Sequence, residues 1–172
     1  MKRIPDPSPG ELRADVEELL PLIASPGGKP AATMIVLARS PDLLAPFVGW
    51  AAALALNGVL SNRDHELLAL RAAHNCRSKF EWDEHSEFAR GAGLADEEIA
   101  AVAGEIAPSG WSPSEAALLQ AADELHATQN VTDETWAVLA SYYDQPALTE
   151  ILFVVGQYTM LSMVANGAGI DD

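Results

Sequence analysis

Apolar residues recur along this chain at spacings of three and four, in segments bounded by serine, threonine, aspartate, glycine and proline. No window shows the sustained alternation of a strand, so the pattern predicts an all-α fold of about seven to nine helices. Residues 1 to 9 hold three prolines and no apolar period. They predict an extended arm ahead of a single helical domain over 10 to 172. A first helix is expected from about Gly10 to Leu20, with Val16, Leu19 and Leu20 as one apolar edge. SPGGKP at 25 to 30 reads as a loop, followed by a short apolar segment, Ala31 to Arg39. Pro41 suits a first helical position with Ser40 as N-cap. Asp42 to Leu56 is apolar almost all round, which predicts a helix enclosed on several sides.

The capping signals are clearer downstream. Ser61 with Asp64 opens a helix at about Asn62 to Asn75, and Ser78 caps another at about Lys79 to Ala92, closed by Gly91 and Gly93. Asp96 starts a short helix containing Ile99 and Val102, before APSG at 107 to 110 breaks the pattern. Ser112, Pro113 and Glu115 begin a helix to about Thr128, and Thr132 begins one through Tyr142. The last helix is expected at about Pro146 to Asn166, ahead of a short acidic tail. Its most apolar stretch, Ile151 to Ala165, is interrupted by Gln157 and is shorter than the roughly 20 residues that span a bilayer. It reads as a buried core helix or a subunit contact.

Composition narrows the class of partner. A hydrophobic fraction of 49% with 20% charged residues supports a packed core. Ten basic against twenty-five acidic residues give a net charge of −15, which disfavours nucleic acid and anionic membrane surfaces as partners. One cysteine can form no internal disulfide, and MKRIPDPSPG lacks the apolar core of a secretory signal, so a cytoplasmic protein is expected.

Candidate chemistry concentrates between Ser61 and His85. Glu81 and His85 are i and i+4 on one helix, and Phe88, Ala89 and Ala92 extend the same stripe toward protein. An imidazole beside a carboxylate can exchange a proton near neutral pH, although the same spacing serves a plain surface ion pair. Glu66, set among leucines and alanines, is either solvent-facing or buried with a partner. A di-iron site would need two Glu-x-x-His elements and further carboxylates; only Asp123 to His126 imitates one, so no metal is expected. Cys76 is more consistent with a packing residue than with a reactive thiol. His74 and His126 read as polar-face residues.

This stretch resembles the carboxymuconolactone decarboxylase and alkyl hydroperoxidase D-like superfamily. The matching pattern is a glutamate, then, twelve residues on, the first position of a C-x-x-C pair, then a histidine four residues after the second cysteine. Glu66 matches the glutamate, Ser78 and Glu81 stand at the cysteine positions, and His85 matches the histidine. FEWDEHSEFARGAGLADEEIAAV also resembles the run common in non-peroxidase members. The resemblance implies an all-α domain assembled as a trimer or hexamer, without cofactor, acting on a small carbonyl- or lactone-containing acid by decarboxylation, isomerisation or hydrolysis. In that frame His85 is the acid or base, Glu81 orients it and Glu66 holds a second proton. Ser78 helps bind a substrate carboxylate, and Arg71, five residues beyond Glu66, either neutralises an anionic substrate or makes a structural salt bridge. The other readings are a catalytically idle ligand-binding protein of the same fold and a thiol-dependent antioxidant. The latter needs two thiols, and this chain has one.

Overall fold

The computed structural model describes residues 2–8, 10–23, 28–106 and 110–170. Among them are nine α-helices and no β-strand. The helices are α1 (Ala14–Leu19), α2 (Ala32–Leu37), α3 (Pro41–Leu56), α4 (Asn62–Asn75), α5 (Lys79–Gly91), α6 (Asp96–Val102), α7 (Pro113–Thr128), α8 (Asp133–Tyr142) and α9 (Gln145–Ala168), with a 3-10 turn at Leu20–Ile23 after α1. Residues 25 to 27 of the expected loop, 107 to 109 of the expected break and the acidic tail lie outside the described residues.

The predicted caps explain the starts of α4, α5, α7 and α8. Ser61 Oγ accepts from the Asp64 N–H at 3.1 Å, and Ser112 and Glu115 form a reciprocal capping box. Thr132 and Asp144 cap α8 and α9 in the same way. The N-terminal third is less regular than its sequence suggests. The first helix starts at Ala14, four residues later than expected, because Gly10 takes a φ of +76° and breaks the approach to it. Ser40 occupies the N-cap position of α3 without a side-chain capping bond. The arm turns back on the far end of the chain, where the Arg3 N–H donates to the Ala168 carbonyl at 2.7 Å.

The enclosed helix is α4, where α3 was expected. Every residue from His65 to Ala73 is buried, against α5, α7 and α9. Leu68, Ala69 and Ala72 join a core with Leu118, Leu139, Ile151 and Val154, while Leu67 and Leu70 join a second with Ile99, Val102 and Trp111. Of α3 only Leu44 and Leu54 are buried, and Leu43, Trp50 and Leu56 are exposed. Hydropathy favoured α3 because α4 carries arginine, histidine and glutamate. Those polar groups are buried nonetheless, since each meets a partner on a different neighbour. Helix α9 runs 24 residues, and by length and composition alone it is long and apolar enough to cross a membrane. That corrects the shorter span read from sequence. Half of its most apolar stretch is buried within the domain, the behaviour of a core helix.

One glycine holds α9 to the connection between α3 and α4. Glu150 accepts from the N–H groups of Val59 at 2.6 Å and Leu60 at 3.3 Å. A Cβ on Gly58 would overlap Glu150 Oε1 and lie 2.8 Å from the Leu54 carbonyl oxygen. Gly58→Ala is therefore expected to displace the carboxylate and cost about 1–3 kcal/mol. The reading is a lower urea midpoint at unchanged slope; an unaltered midpoint would show that the carboxylate moves aside freely.

Candidate functional site

Three buried polar groups leave α4 in three directions. At about 100° per residue, His65 and Glu66 lie a quarter-turn apart and Arg71 about 140° beyond Glu66, so Arg71 faces away from what Glu66 meets. Glu66 points to α5, where its Oε2 accepts from His85 Nδ1 at 2.7 Å. His65 meets α9, with Nε2 at 2.8 Å from the Tyr158 hydroxyl. Arg71 turns to α7 and the end of α6. Its Nε and Nη2 donate to the two carboxylate oxygens of Asp123 at 2.6 Å each, and its Nη1 donates to the Val102 and Gly104 carbonyls.

On α5 the i, i+4 pair is not a surface ion pair. Glu81 is 3% and His85 7% exposed, and Glu66 is 8% exposed. His85 Nε2 lies 3.8 Å from Glu81 Oε2. The imidazole thus sits between two carboxyl groups, with the direct hydrogen bond going to Glu66. The connection that aims α5 is tight: Arg77 takes a φ of +54°, and the Ser78 N–H returns to the Ala73 carbonyl at 3.0 Å.

The site opens into a cavity of about 390 Å³ lined by Glu81, Glu84, His85, Gln157 and Tyr158 and by apolar side chains of α2, α3, α5 and α9, among them Met34, Phe47, Val48, Phe80 and Leu161. Tyr158 packs edge-on against His85 with ring centroids 4.2 Å apart. Burial, then the Glu66 and Glu81 charges, push the Tyr158 phenol well above its ordinary range, so it keeps its proton.

Two expected substrate contacts are not at this cavity. Ser78 is 2% exposed and its Oγ accepts from the Glu81 N–H at 3.4 Å, as the cap of α5. Arg71 is absent from the lining and committed to Asp123. Five residues along a helix turn a side chain about 140° away from Glu66, which corrects the reading of Arg71 as partner to a substrate anion. Cys76 is also elsewhere, with Sγ 3.8 Å from His126 Nδ1, and burial pushes its thiol up. No three histidine, cysteine, aspartate or glutamate side chains converge as a metal site among the described residues. Asp123, part of the one Glu-x-x-His-like element, is engaged by Arg71 and Asn75.

Sequence reasoning passed over His65, Tyr158 and Gln157. A tyrosine beside a glutamine inside the apolar final helix was the available signal. Burial pushes His65 below the ordinary histidine value of 6.5, against the attraction of Glu66. The unfolded chain then protonates first as pH falls. The contribution is complete above about pH 6.5 and is lost progressively below it, until folded His65 itself protonates. Urea midpoints at about pH 8 and pH 5 should therefore differ less in His65→Gln than in the parent; equal differences would exclude His65 as the titrating group.

Comparison with known proteins agrees with this geometry. Residues 41–124 match the model of the carboxymuconolactone decarboxylase family. The fold is that of an uncharacterized peroxidase-related protein from Silicibacter sp. TM1040, with a TM-score of 0.82 at 17% identity over 96% of this chain and 87% of that one. It is also that of an alkylhydroperoxidase AhpD core protein from Ralstonia eutropha JMP134 (TM-score 0.77, 20% identity, 96% and 88% covered). A protein of unknown function from Agrobacterium tumefaciens that carries the name AhpD gives a TM-score of 0.70 at 20% identity, over 76% of this chain and 90% of that one. At these identities the likeness establishes the fold alone. A search of curated proteins finds no match. The fold is therefore AhpD-like, and within it residues 41–124 carry the sequence pattern of the carboxymuconolactone decarboxylase family. Ser78 and Glu81 stand where a C-x-x-C pair would stand in that pattern, so the chain lacks the thiol pair.

Proposed function

We propose that the protein is a cofactor-independent enzyme that moves a proton on a small carbonyl- or lactone-containing substrate, by isomerisation, hydrolysis or decarboxylation. The observation that supports this reading is the buried imidazole held at 2.7 Å by Glu66 and facing Glu81 across 3.8 Å at the edge of an apolar cavity. With Nδ1–H donating to Glu66, Nε2 is the basic nitrogen. It takes a proton from the carbon next to the carbonyl, and the C–H electron pair moves into the carbonyl as an enolate. Glu66 stabilises the imidazolium so formed, and the proton returns at the same or a conjugated carbon. Glu66 thereby takes the orienting role that the resemblance had implied for Glu81. Glu81, on the cavity wall, is placed to relay the second proton.

The expected setting is the cytoplasm, as a trimer or hexamer. Exposed Leu43, Trp50 and Leu56 on α3 and Phe153 and Met163 on α9 support self-association. A thiol peroxidase cycle lacks a resolving cysteine, and peroxide reduction is expected to be absent. The test is incubation in D2O with a panel of lactones and cyclic ketones followed by mass spectrometry. Enzyme-dependent deuterium incorporation is expected. Binding without exchange or product across the panel would favour an idle ligand-binding protein.

A further inference from the structure

We infer that the cavity takes an uncharged molecule, an apolar body with one hydroxyl or enolisable carbonyl at the His85 end, and that it rejects carboxylates. This rests on the proposed reading of the same site and narrows it to isomerisation or hydrolysis, since decarboxylation needs the carboxylate that the cavity rejects; the resemblance had pointed to an acid.

The lining is asymmetric in chemistry. Its apolar wall comes from Met34, Phe47, Val48, Phe80 and Leu161, while its polar groups are the carboxyls of Glu81 and Glu84, the imidazole, the Gln157 amide and the hydroxyl-bearing Thr33 and Tyr158, the latter bonded to His65. No lysine or arginine lines it among the described residues. The nearest expected candidate, Arg71, spends its guanidinium on Asp123 and two carbonyls. A carboxylate brought to His85 would lose its water shell and meet two carboxyl groups instead of a cation, which is unfavourable by desolvation and by like charge. An uncharged hydroxyl or enol carries no such cost, and it supplies the donor that this acceptor-rich end can use.

Gln157 adds an independent observation. It is 6% exposed, lies in the cavity wall, and its Oε1 is buried without a hydrogen-bond partner among the described residues. An orphaned buried acceptor is unfavourable in the free protein, and a rotation of the amide toward the cavity brings it to a ligand's donor, which relieves it. Gln157 is thus assigned as a specificity-determining residue that selects ligands with a donor.

Calorimetric titration of the full chain, in its native assembly at about pH 8, tests this with three probes of one skeleton: 2-phenylethanol, phenylacetate and ethylbenzene. The alcohol is expected to bind about ten-fold or more tightly than phenylacetate. Phenylacetate binding as well or better, or no binding by the alcohol, overturns the inference. Gln157→Leu should lose the preference for the alcohol over ethylbenzene while melting at the same or a higher temperature, since the orphaned acceptor is gone. Retention of that preference overturns the role of Gln157. These arms read no turnover: tighter phenylacetate with intact deuterium exchange sinks the ligand class alone, whereas preference for the alcohol without exchange sinks the proton-transfer reading alone.

Discussion

His85→Ala is expected to lower enzyme-dependent deuterium incorporation by roughly 10²–10⁴-fold, the usual contribution of a positioned general base. No other side chain at the cavity combines a basic nitrogen with a carboxylate held at 2.7 Å behind it. Because removal of the ring also strands the buried Glu66 carboxylate, the alanine variant confounds chemistry with stability. His85→Gln separates the two. Its amide can donate to Glu66 but cannot carry the proton, so it should show a similar loss of exchange with a melting temperature closer to the parent. Full exchange in a folded His85→Gln protein would sink the mechanism. Glu66→Gln should give a smaller loss, since it keeps an acceptor for Nδ1–H but withdraws the charge that stabilises the imidazolium.

Arg71→Met is expected to destabilise the fold by about 3–5 kcal/mol while leaving ligand binding at the cavity unchanged. The guanidinium ties α4 to α7 through both oxygens of Asp123, and to the end of α6 through the Val102 and Gly104 carbonyls. Its removal leaves a partly buried carboxylate and two carbonyls short of a donor. The pH dependence identifies the cause. Burial raises the Asp123 pKa, but the hydrogen bonds from Arg71 and Asn75 and the Arg71 charge outweigh it, so the carboxyl titrates below its ordinary value of 3.8. A carboxyl depressed in the folded state contributes stability that is complete above the unfolded value and lost as pH falls through the folded one. In Arg71→Met that acid-labile contribution is gone, so the destabilisation relative to the parent should be full at neutral pH and shrink as pH falls below about 3.8. A variant with parental stability but weakened ligand binding would return Arg71 to the substrate role that its position in sequence suggested.

The contrast between Arg71 and Glu66 shows how far a sequence can be read. At α4, α7 and α8 the helix starts follow local capping chemistry: Ser61, Ser112 and Thr132 each satisfy an N–H three residues on, and these boundaries were legible without tertiary information, whereas the Asp144 cap of α9 was not read. So was the pairing of Glu81 with His85, because i and i+4 on one helix meet whatever surrounds them. The N-terminal elements follow packing and glycine conformation more than caps, and there the expected start of α1 and the capping bond at Ser40 were misplaced.

By itself, then, the sequence determined an all-α chain, the helix frame downstream of α3, and the cluster of Glu66, Glu81 and His85 in which any chemistry had to be sought. Only the tertiary structure decided that α4 and not α3 is the enclosed helix. It also decided that Glu66 bonds His85 directly while Arg71 and Ser78 serve the fold, and that Tyr158 and Gln157 complete the cavity. The physical reason is one of range. Caps and helical faces are set by neighbours within four residues, whereas the partner of a buried charge lies on another helix. The direction in which a side chain leaves α4 says which helix that is only once the helices are packed.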